Sequence, residues 1–300
     1  MKWWGLALSV SVLLVASCGK PGELDYQPSF STQDNNKSQE YVVAIHPLHN
    51  PKRLTEIYGP IVEYINIHMP EVRFRLEASR NYDEFENRLY AGRYAFAMPN
   101  PYQTLRSLKY GYRIFGKMGD DAEFRGIFLV RKDGNIHELA DIKGKAVSYP
   151  APTTLAGGMM NQYYLQTHGI DVKGDIENRY VGSQDSSIMS VLRGHSAVGS
   201  TWPVPWKTFS TEHPELASQL EVKWQTEPLL NNGWVVRKDV PAPVADKFAK
   251  LLFSLNESEE GRSMLERLPV SRFEPATEET YRPVRDFLVL FSKTVRPIEY

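Results

Sequence analysis

The chain of 300 residues has one cysteine, Cys18, so no disulfide can form within a single copy. It contains no H-E-x-x-H, C-x-x-C, P-loop or G-x-G-x-x-G motif, which leaves it without the short signatures of zinc peptidases, dithiol sites and nucleotide-binding folds. The 35 basic and 36 acidic residues give a formal net charge of −1, without the basic excess of nucleic-acid-binding proteins. We therefore expect neither a cofactor nor a nucleic-acid partner.

Two other patterns that suggest catalysis are incomplete. The segment G-H-S-A-V-G, residues 194–199, has its second glycine one residue late for G-x-S-x-G, so Ser196 is not expected to be a nucleophile. His46 and His49 have no third ligand nearby in the sequence, so we predict no metal site there. The residues thus favour a binding protein over an enzyme.

The N-terminus has the pattern of an export signal. Lys2 precedes an apolar run of about a dozen residues, which is too short to span a bilayer. The run ends in Val15-Ala16-Ser17-Cys18, which resembles the lipobox of bacterial lipoproteins. We predict a signal peptide over 1–17, lipidation of Cys18, and a flexible linker over 18–39 rich in Gly, Pro, Ser and Asn. A plain secretory signal with a chance cysteine is the alternative. The predicted location is periplasmic, with a lipid anchor in the membrane.

From residue 40 onward, short apolar strands alternate with helical patterns, which indicates an α/β fold. The length of this part, roughly 260 residues, is more than one core usually supports, so we expect two lobes.

One stretch has the pattern of an anion site. Pro150 and Pro152 keep the backbone extended before Thr153 and Thr154, either of which is a good cap for the helical pattern that follows. Free amides and the positive end of the helix dipole then converge at one point. An ordinary capped helix remains the alternative.

Polar or aromatic residues follow four predicted strands at the point where a helix begins. Because ligands in open α/β sheets bind at the carboxyl ends of strands, these junctions predict a binding cleft. The junctions are His46–Asn50, Asn100–Tyr102, Ser148–Thr154 and Gln184–Ser187.

Several longer motifs resemble the periplasmic phosphate, phosphite and phosphonate-binding proteins of ABC transporters, the PhnD-like family. They are Y-D-E-F-E-N-R-L-Y-A-G-R-Y-A-F-A-M-P-N-P-Y-Q-T-L from Tyr82, L-A-D-I-K-G-K-A-V-S-Y from Leu139, P-A-P-T-T-L-A-G from Pro150, G-S-Q-D-S-S-I-M-S-V-L-R-G from Gly182, and two C-terminal segments, E-P-L-L-N-N-G-W-V-V-R-K-D-V-P and F-E-P-A-T-E-E-T-Y-R-P-V-R.

The resemblance implies a two-lobed type 2 periplasmic-binding fold, with mixed sheets flanked by helices and two hinge crossings. We expect lobe one over 40–131 plus 222–300, lobe two over 132–221, and crossings near Lys132 and Glu221.

The resemblance also implies ligand-binding residues. Tyr102 matches an aromatic that contacts ligand, and Thr153 and Thr154 match the start of a Ser-Thr-Ser-Gly anion loop, from which Leu155 and Ala156 depart. Gln184 stands where many members have His, and Thr201-Trp202 where many have an Asp that pairs with an amine. The full predicted set is Tyr102, Ser148, Thr153, Thr154, Ala156, Gln184, Asp185, Trp202, Arg125 and His46, with Arg125 as a candidate for charge pairing and Asp185 as a helix cap.

The function implied is capture of an oxyanion without a cationic tail and its delivery to an ABC permease, by a protein expected to be monomeric. A sensory module that signals to a membrane sensor kinase is the alternative. An enzyme acting on phosphonates or phosphate esters is disfavoured, because no metal or nucleophile constellation is evident.

Overall fold

The computed structural model describes residues 39–300, which belong to one compact unit. The predicted signal peptide, Cys18 and all of the predicted linker except Gln39 lie outside the described residues. None of the helices in the described part is long and apolar enough to cross a membrane.

The first sheet has six strands in the order β11-β4-β10-β3-β1-β2. Strand β1 pairs in parallel with β2 and β3, whereas β10 is antiparallel to both β3 and β4, so the sheet is mixed. The strands are β1 (Glu40–Ile45), β2 (Arg73–Ala78), β3 (Phe96–Met98), β4 (Tyr112–Met118), β10 (Gly233–Arg237) and β11 (Phe273–Pro275).

The second sheet has five strands in the order β7-β6-β8-β5-β9 and is mixed as well. Strand β6 is parallel to β7 and β8, while β5 is antiparallel to β8 and β9. The strands are β5 (Ile127–Arg131), β6 (Ala146–Tyr149), β7 (Glu177–Tyr180), β8 (Val198–Thr201) and β9 (Leu220–Gln225).

Helices cover the sheets and follow the strands in chain order. They are α1 (Pro51–His68), α2 (Tyr82–Tyr90), α3 (Pro101–Ser107), α4 (Asn161–Thr167), α5 (Gln184–Leu192), α6 (Pro203–Glu212), α7 (Pro214–Ala217), α8 (Ala242–Phe253), α9 (Glu259–Glu266) and α10 (Arg282–Thr294). Asn81 caps α2, because its side chain accepts from the amide of Glu84 at 2.9 Å.

Helices α6 and α7 were not predicted from the sequence, and both begin at a proline. Pro203 and Pro214 stand in the first turn of each helix, where the missing amide hydrogen costs no intrahelical bond.

The chain passes between the sheets twice, over 119–126 and 226–232, and these two segments lie side by side. The amide of Gly126 donates to Thr226 Oγ1 at 3.0 Å, and the amide of Leu229 donates to the Phe124 carbonyl at 2.9 Å. The predicted crossings near Lys132 and Glu221 were therefore misplaced, since β5 and β9 pair within the second sheet. Whether the sheets behave as separate lobes remains a prediction.

Candidate functional site

The carboxyl ends of the parallel strands in the two sheets face each other, and side chains link them directly. Tyr82, the first residue of α2, lies with its hydroxyl 3.3 Å from Gln184 Nε2 at the start of α5. The side-chain amide of Asn100, which caps α3, donates to the Thr153 carbonyl at 3.0 Å. The structure thus brings the predicted junctions of both sheets together.

The helix after Thr154 opens with a π turn over Leu155–Met160 and runs directly into α4. Its first bond joins the Met159 amide to the Thr154 carbonyl at 2.9 Å, five residues apart. The amides of Leu155, Ala156 and Gly157 consequently have no acceptor among the described residues, although all three residues are buried. Buried amides are normally paired, so this end of the helix is suited to hold an acceptor.

Neither threonine hydroxyl of the predicted anion loop caps this helix. Thr154 occupies the cap position, but its hydroxyl donates to the Ala151 carbonyl at 2.8 Å. The Thr153 hydroxyl donates to Glu86 Oε1 on α2. The expectation of a threonine side-chain cap was therefore wrong, because no amide of the first helical turn donates to either hydroxyl oxygen.

Gln184 connects the two sides of the site. Its Oε1 accepts from the Thr201 hydroxyl at 2.8 Å, and a Cβ added at Gly157 would lie 2.9 Å from the same oxygen. The side-chain amide is therefore directly against the start of the π turn. A side chain at position 157 would require the Gln184 amide to move away from the turn.

Three other predicted residues lie near the junctions, and the hydroxyl groups of two of them are already hydrogen-bonded. The Tyr102 hydroxyl donates to the Glu299 carbonyl at 2.6 Å and accepts from Arg106. Ser148 Oγ lies 3.1 Å from the Ser187 carbonyl, which ties β6 to α5. Trp202 is 2% exposed and packs edge-on against Phe124, so it is part of the hydrophobic core.

Two predicted residues point elsewhere. Arg125 Nε donates to the nearby Ala122 carbonyl at 3.0 Å, and the described residues offer it no acid within ion-pair distance. Asp185 does not cap α5, because Ser183 accepts from the Ser186 amide at 3.1 Å. Burial raises the pKa of Asp185, and so does the charge of Glu212 on α6.

His46 is buried at the end of β1, with its ring centroid 6.0 Å from that of Tyr82. Its Nδ1 lies 2.8 Å from the Met98 carbonyl, so this nitrogen must carry the hydrogen. Burial lowers the pKa of His46 to about 4, so the ring is neutral at physiological pH. His46 can therefore shape the site but brings it no positive charge.

Sequence reasoning missed three residues of the site: Tyr82, Glu86 and Arg296. Tyr82 and Glu86 are four residues apart on α2, so both face the second sheet. Arg296, beyond the end of α10, donates to the Pro152 carbonyl and to Gln162 Oε1, which brings a guanidinium beside the loop. The four-residue spacing of Tyr82 and Glu86, on the helix that Asn81 caps, could have indicated that they share one face. No local sequence pattern indicated Arg296.

A surface cavity of about 380 Å³ lies between α1, α6 and the segment 266–271, and none of its lining residues belongs to the cluster described above. Arg53 and Glu212 in its lining form an ion pair at 2.8 Å, so its charges are partly matched. No three His, Cys, Asp or Glu side chains within 39–300 are grouped to hold a metal ion. The junction cluster, with its unpaired amides, is the better candidate site.

Comparison with known proteins gives a consistent result. A family model described as "ABC transporter, phosphonate, periplasmic substrate-binding protein" matches residues 43–281. The probable ABC transporter phosphite binding protein PhnD1 of Prochlorococcus marinus (strain MIT 9301) is 24% identical over 179 residues, which is 55% of this chain and 60% of that protein. The aligned part is thus less than two thirds of the relative.

Solved structures share the fold at low identity. PhnD1 of Prochlorococcus marinus in complex with methylphosphonate superposes with a TM-score of 0.77 at 17% identity, covering 85% of this chain and 99% of that one. A binding protein component of an ABC phosphonate transporter from Pseudomonas aeruginosa gives 0.78 at 17% identity, covering 86% and 88%. The periplasmic aliphatic sulphonate binding protein SsuA from Escherichia coli gives 0.58 at 11% identity, covering 86% and 90%. These matches confirm the predicted fold class.

Proposed function

Since the chain belongs to the periplasmic substrate-binding proteins of phosphonate ABC transporters, as its motifs predicted, we propose that it captures a phosphate-like oxyanion between its two sheets and delivers it to an ABC permease. The ligand class is phosphate, phosphite or a simple phosphonate. The observation that carries the proposal is the set of amides at Leu155, Ala156 and Gly157, three buried residues whose N–H groups have no acceptor within residues 39–300.

In this proposal the three amides bind the anion by hydrogen bonds. Three consecutive N–H groups at a helix start can donate to separate oxygens of one tetrahedral anion, and the helix dipole adds attraction. Hydrogen bonds to a charged group typically contribute about 1.5–3 kcal/mol each. No side-chain hydroxyl of the loop is required, which accommodates the departures at Leu155 and Ala156.

The groups around the amides are compatible with a small anion. Tyr82, Gln184 and Thr201 are neutral and form one hydrogen-bonded chain across the site. Arg296 holds a positive charge beside Pro152, where it can attract the ligand. Direct links between the two sheets also provide contacts that a hinge closure around the ligand would use.

A lipid anchor on Cys18 would keep the protein near its permease, and we include it in the proposal on the evidence of the lipobox alone. The alternative, a sensory module for a membrane kinase, uses the same binding site. Deletion of the gene separates the two: loss of phosphonate or phosphite uptake supports delivery, and loss of a transcriptional response with uptake intact supports sensing.

Binding itself is tested by isothermal titration of the mature protein with phosphite, methylphosphonate and phosphate. We expect at least one of these to bind in the micromolar range or tighter with a stoichiometry of one. Absence of binding by all three, for a protein shown to be folded, would refute the proposed function.

A further inference from the structure

We propose that Glu86 is a specificity-determining residue, which accepts a hydrogen bond from the protonated oxygen of a phosphonate, phosphite or phosphate and so excludes sulfonates and sulfate. The inference rests on the proposed function, because it concerns which oxyanions the same site accepts. Glu86 would select among these anions from the side of the site that the first sheet contributes.

Glu86 lies beside the anion loop and is 8% exposed. It is one helical turn after Tyr82 on α2, and the two side chains reach the second sheet at Thr153 and Gln184 respectively. A ligand held by the amides of the π turn is flanked by these two contacts. The carboxyl is therefore positioned to meet one of the ligand oxygens.

The hydrogen bonds of Glu86 occupy one carboxyl oxygen and leave the other available to a ligand. Gln103 Oε1 accepts from the Asn100 amide at 3.1 Å, which orients the Gln103 side chain so that Nε2 donates to Glu86 Oε1 at 2.9 Å. Thr153 donates to the same oxygen. Oε2 has no hydrogen-bond partner in the described part of the chain, so it is the atom left to receive a ligand proton.

No cation neutralises Glu86 within ion-pair distance among the described residues. Arg106 on α3 is close enough to lower its pKa but is hydrogen-bonded to the Tyr102 hydroxyl. Burial has the larger effect and raises the pKa of Glu86, with Asp83 adding to the rise. Such a carboxyl tolerates an oxyanion only if the two groups share a proton.

This requirement distinguishes ligands of the same shape. Near neutral pH a phosphonate, phosphite or phosphate carries or readily takes up one proton on oxygen, whereas a sulfonate does not. A sulfonate brings no proton, so its oxygen facing the ionised carboxyl at Oε2 would meet like charge in a buried site, which is strongly unfavourable. The same fold occurs in a protein described as aliphatic sulphonate binding, so the fold itself does not provide the discrimination.

The test compares methylphosphonate with methanesulfonate by titration calorimetry at pH 7, for the wild type, Glu86→Gln and Glu84→Gln. We expect the wild type to prefer methylphosphonate by roughly 100-fold or more. Glu86→Gln, which replaces an acceptor by an amide that can also donate, should reduce this ratio at least tenfold and allow methanesulfonate to bind. Glu84→Gln removes a carboxylate on the same helix that pairs with Arg80 and Arg88, and it should leave the ratio unchanged.

The outcomes separate this inference from the proposed function. If the wild type binds no oxyanion, both are overturned. If the wild type binds methylphosphonate less than tenfold more tightly than methanesulfonate, the inference alone is overturned. This outcome does not depend on whether Glu86→Gln folds. An equal loss of affinity for both ligands in Glu86→Gln would identify a simple contact between the sheets and overturn the selecting role. Tighter binding of 2-aminoethylphosphonate that Glu86→Gln abolishes would overturn it as well, by assigning Glu86 to an ammonium group.

Discussion

Replacing Gln184 by glutamate adds one negative charge to the candidate site with almost no change of shape. Gln184 Oε1 lies against the start of the π turn, 2.9 Å from where a Gly157 Cβ would be, so an anion on the Gly157 amide would be roughly 4–6 Å from the new charge. At an effective dielectric constant of about 20, two unit charges at this separation repel by about 3–4 kcal/mol. Affinity for methylphosphonate should therefore fall by roughly 100- to 1,000-fold.

Titration calorimetry at pH 8 measures this effect, with Gln166→Glu as the matched control. Gln166 is on α4, near its far end, and its Oε1 accepts from the Val172 amide at 3.0 Å, a bond that a carboxylate can keep. Thr201 can likewise still donate to the carboxylate introduced by Gln184→Glu, so both variants should fold. Burial raises the pKa of that introduced carboxyl, and the loss of affinity should therefore shrink as the pH is lowered. If Gln184→Glu binds methylphosphonate within threefold of the wild type at pH 8, the anion does not lie at the π turn.

Three further predictions concern the pH dependence of stability, the role of the Tyr102 hydroxyl and the lipid anchor. The pKa of His46 is lowered to about 4, so between about pH 6.5 and 4 the unfolded chain binds the extra proton, and stability falls as the pH falls through this window; His46→Asn, which keeps a donor for Met98, should lose about 2 kcal/mol less than the wild type between pH 7 and 4.5 in denaturant titrations, and equal losses would contradict this. Tyr102→Phe should cost about 1 kcal/mol of stability, because the bond to the Glu299 carbonyl is lost, and leave oxyanion affinity within threefold; a tenfold loss of affinity would mean that the hydroxyl contacts ligand. Cys18→Ala should release the protein from membranes or leave it unprocessed, whereas normal processing with full membrane retention would argue against a lipid anchor.

Local signals in the sequence were sufficient for most of the fold. Asn81 caps α2, and the apolar runs at β1 and β3 became interior strands of the first sheet, because caps and hydrophobic runs act over a few residues. The position of β5 depends on pairing with β9, whose residues lie some ninety positions later in the chain. Such long-range pairing is absent from any local pattern, which explains why the crossings were misplaced.

The site was only partly predictable for the same reason. The sequence identified the loop at Thr153 and the junction at Gln184, since both follow strands. It did not reveal that Glu86 accepts from Thr153, because an acid on an amphipathic helix ordinarily faces solvent. The π turn was also hidden, since the pattern after Thr154 is that of an ordinary helix. The contact between Arg296 and Pro152 joins positions distant in sequence, which local patterns do not relate.

The most direct test of the account is a crystal structure of the protein with methylphosphonate. We predict phosphonate oxygens about 2.7–3.2 Å from the amide nitrogens of Leu155, Ala156 and Gly157, with Gln184 and Glu86 on either side. A fully occupied ligand bound elsewhere, for example in the cavity lined by Arg53 and Lys207, would contradict the central claim that the π turn holds the anion.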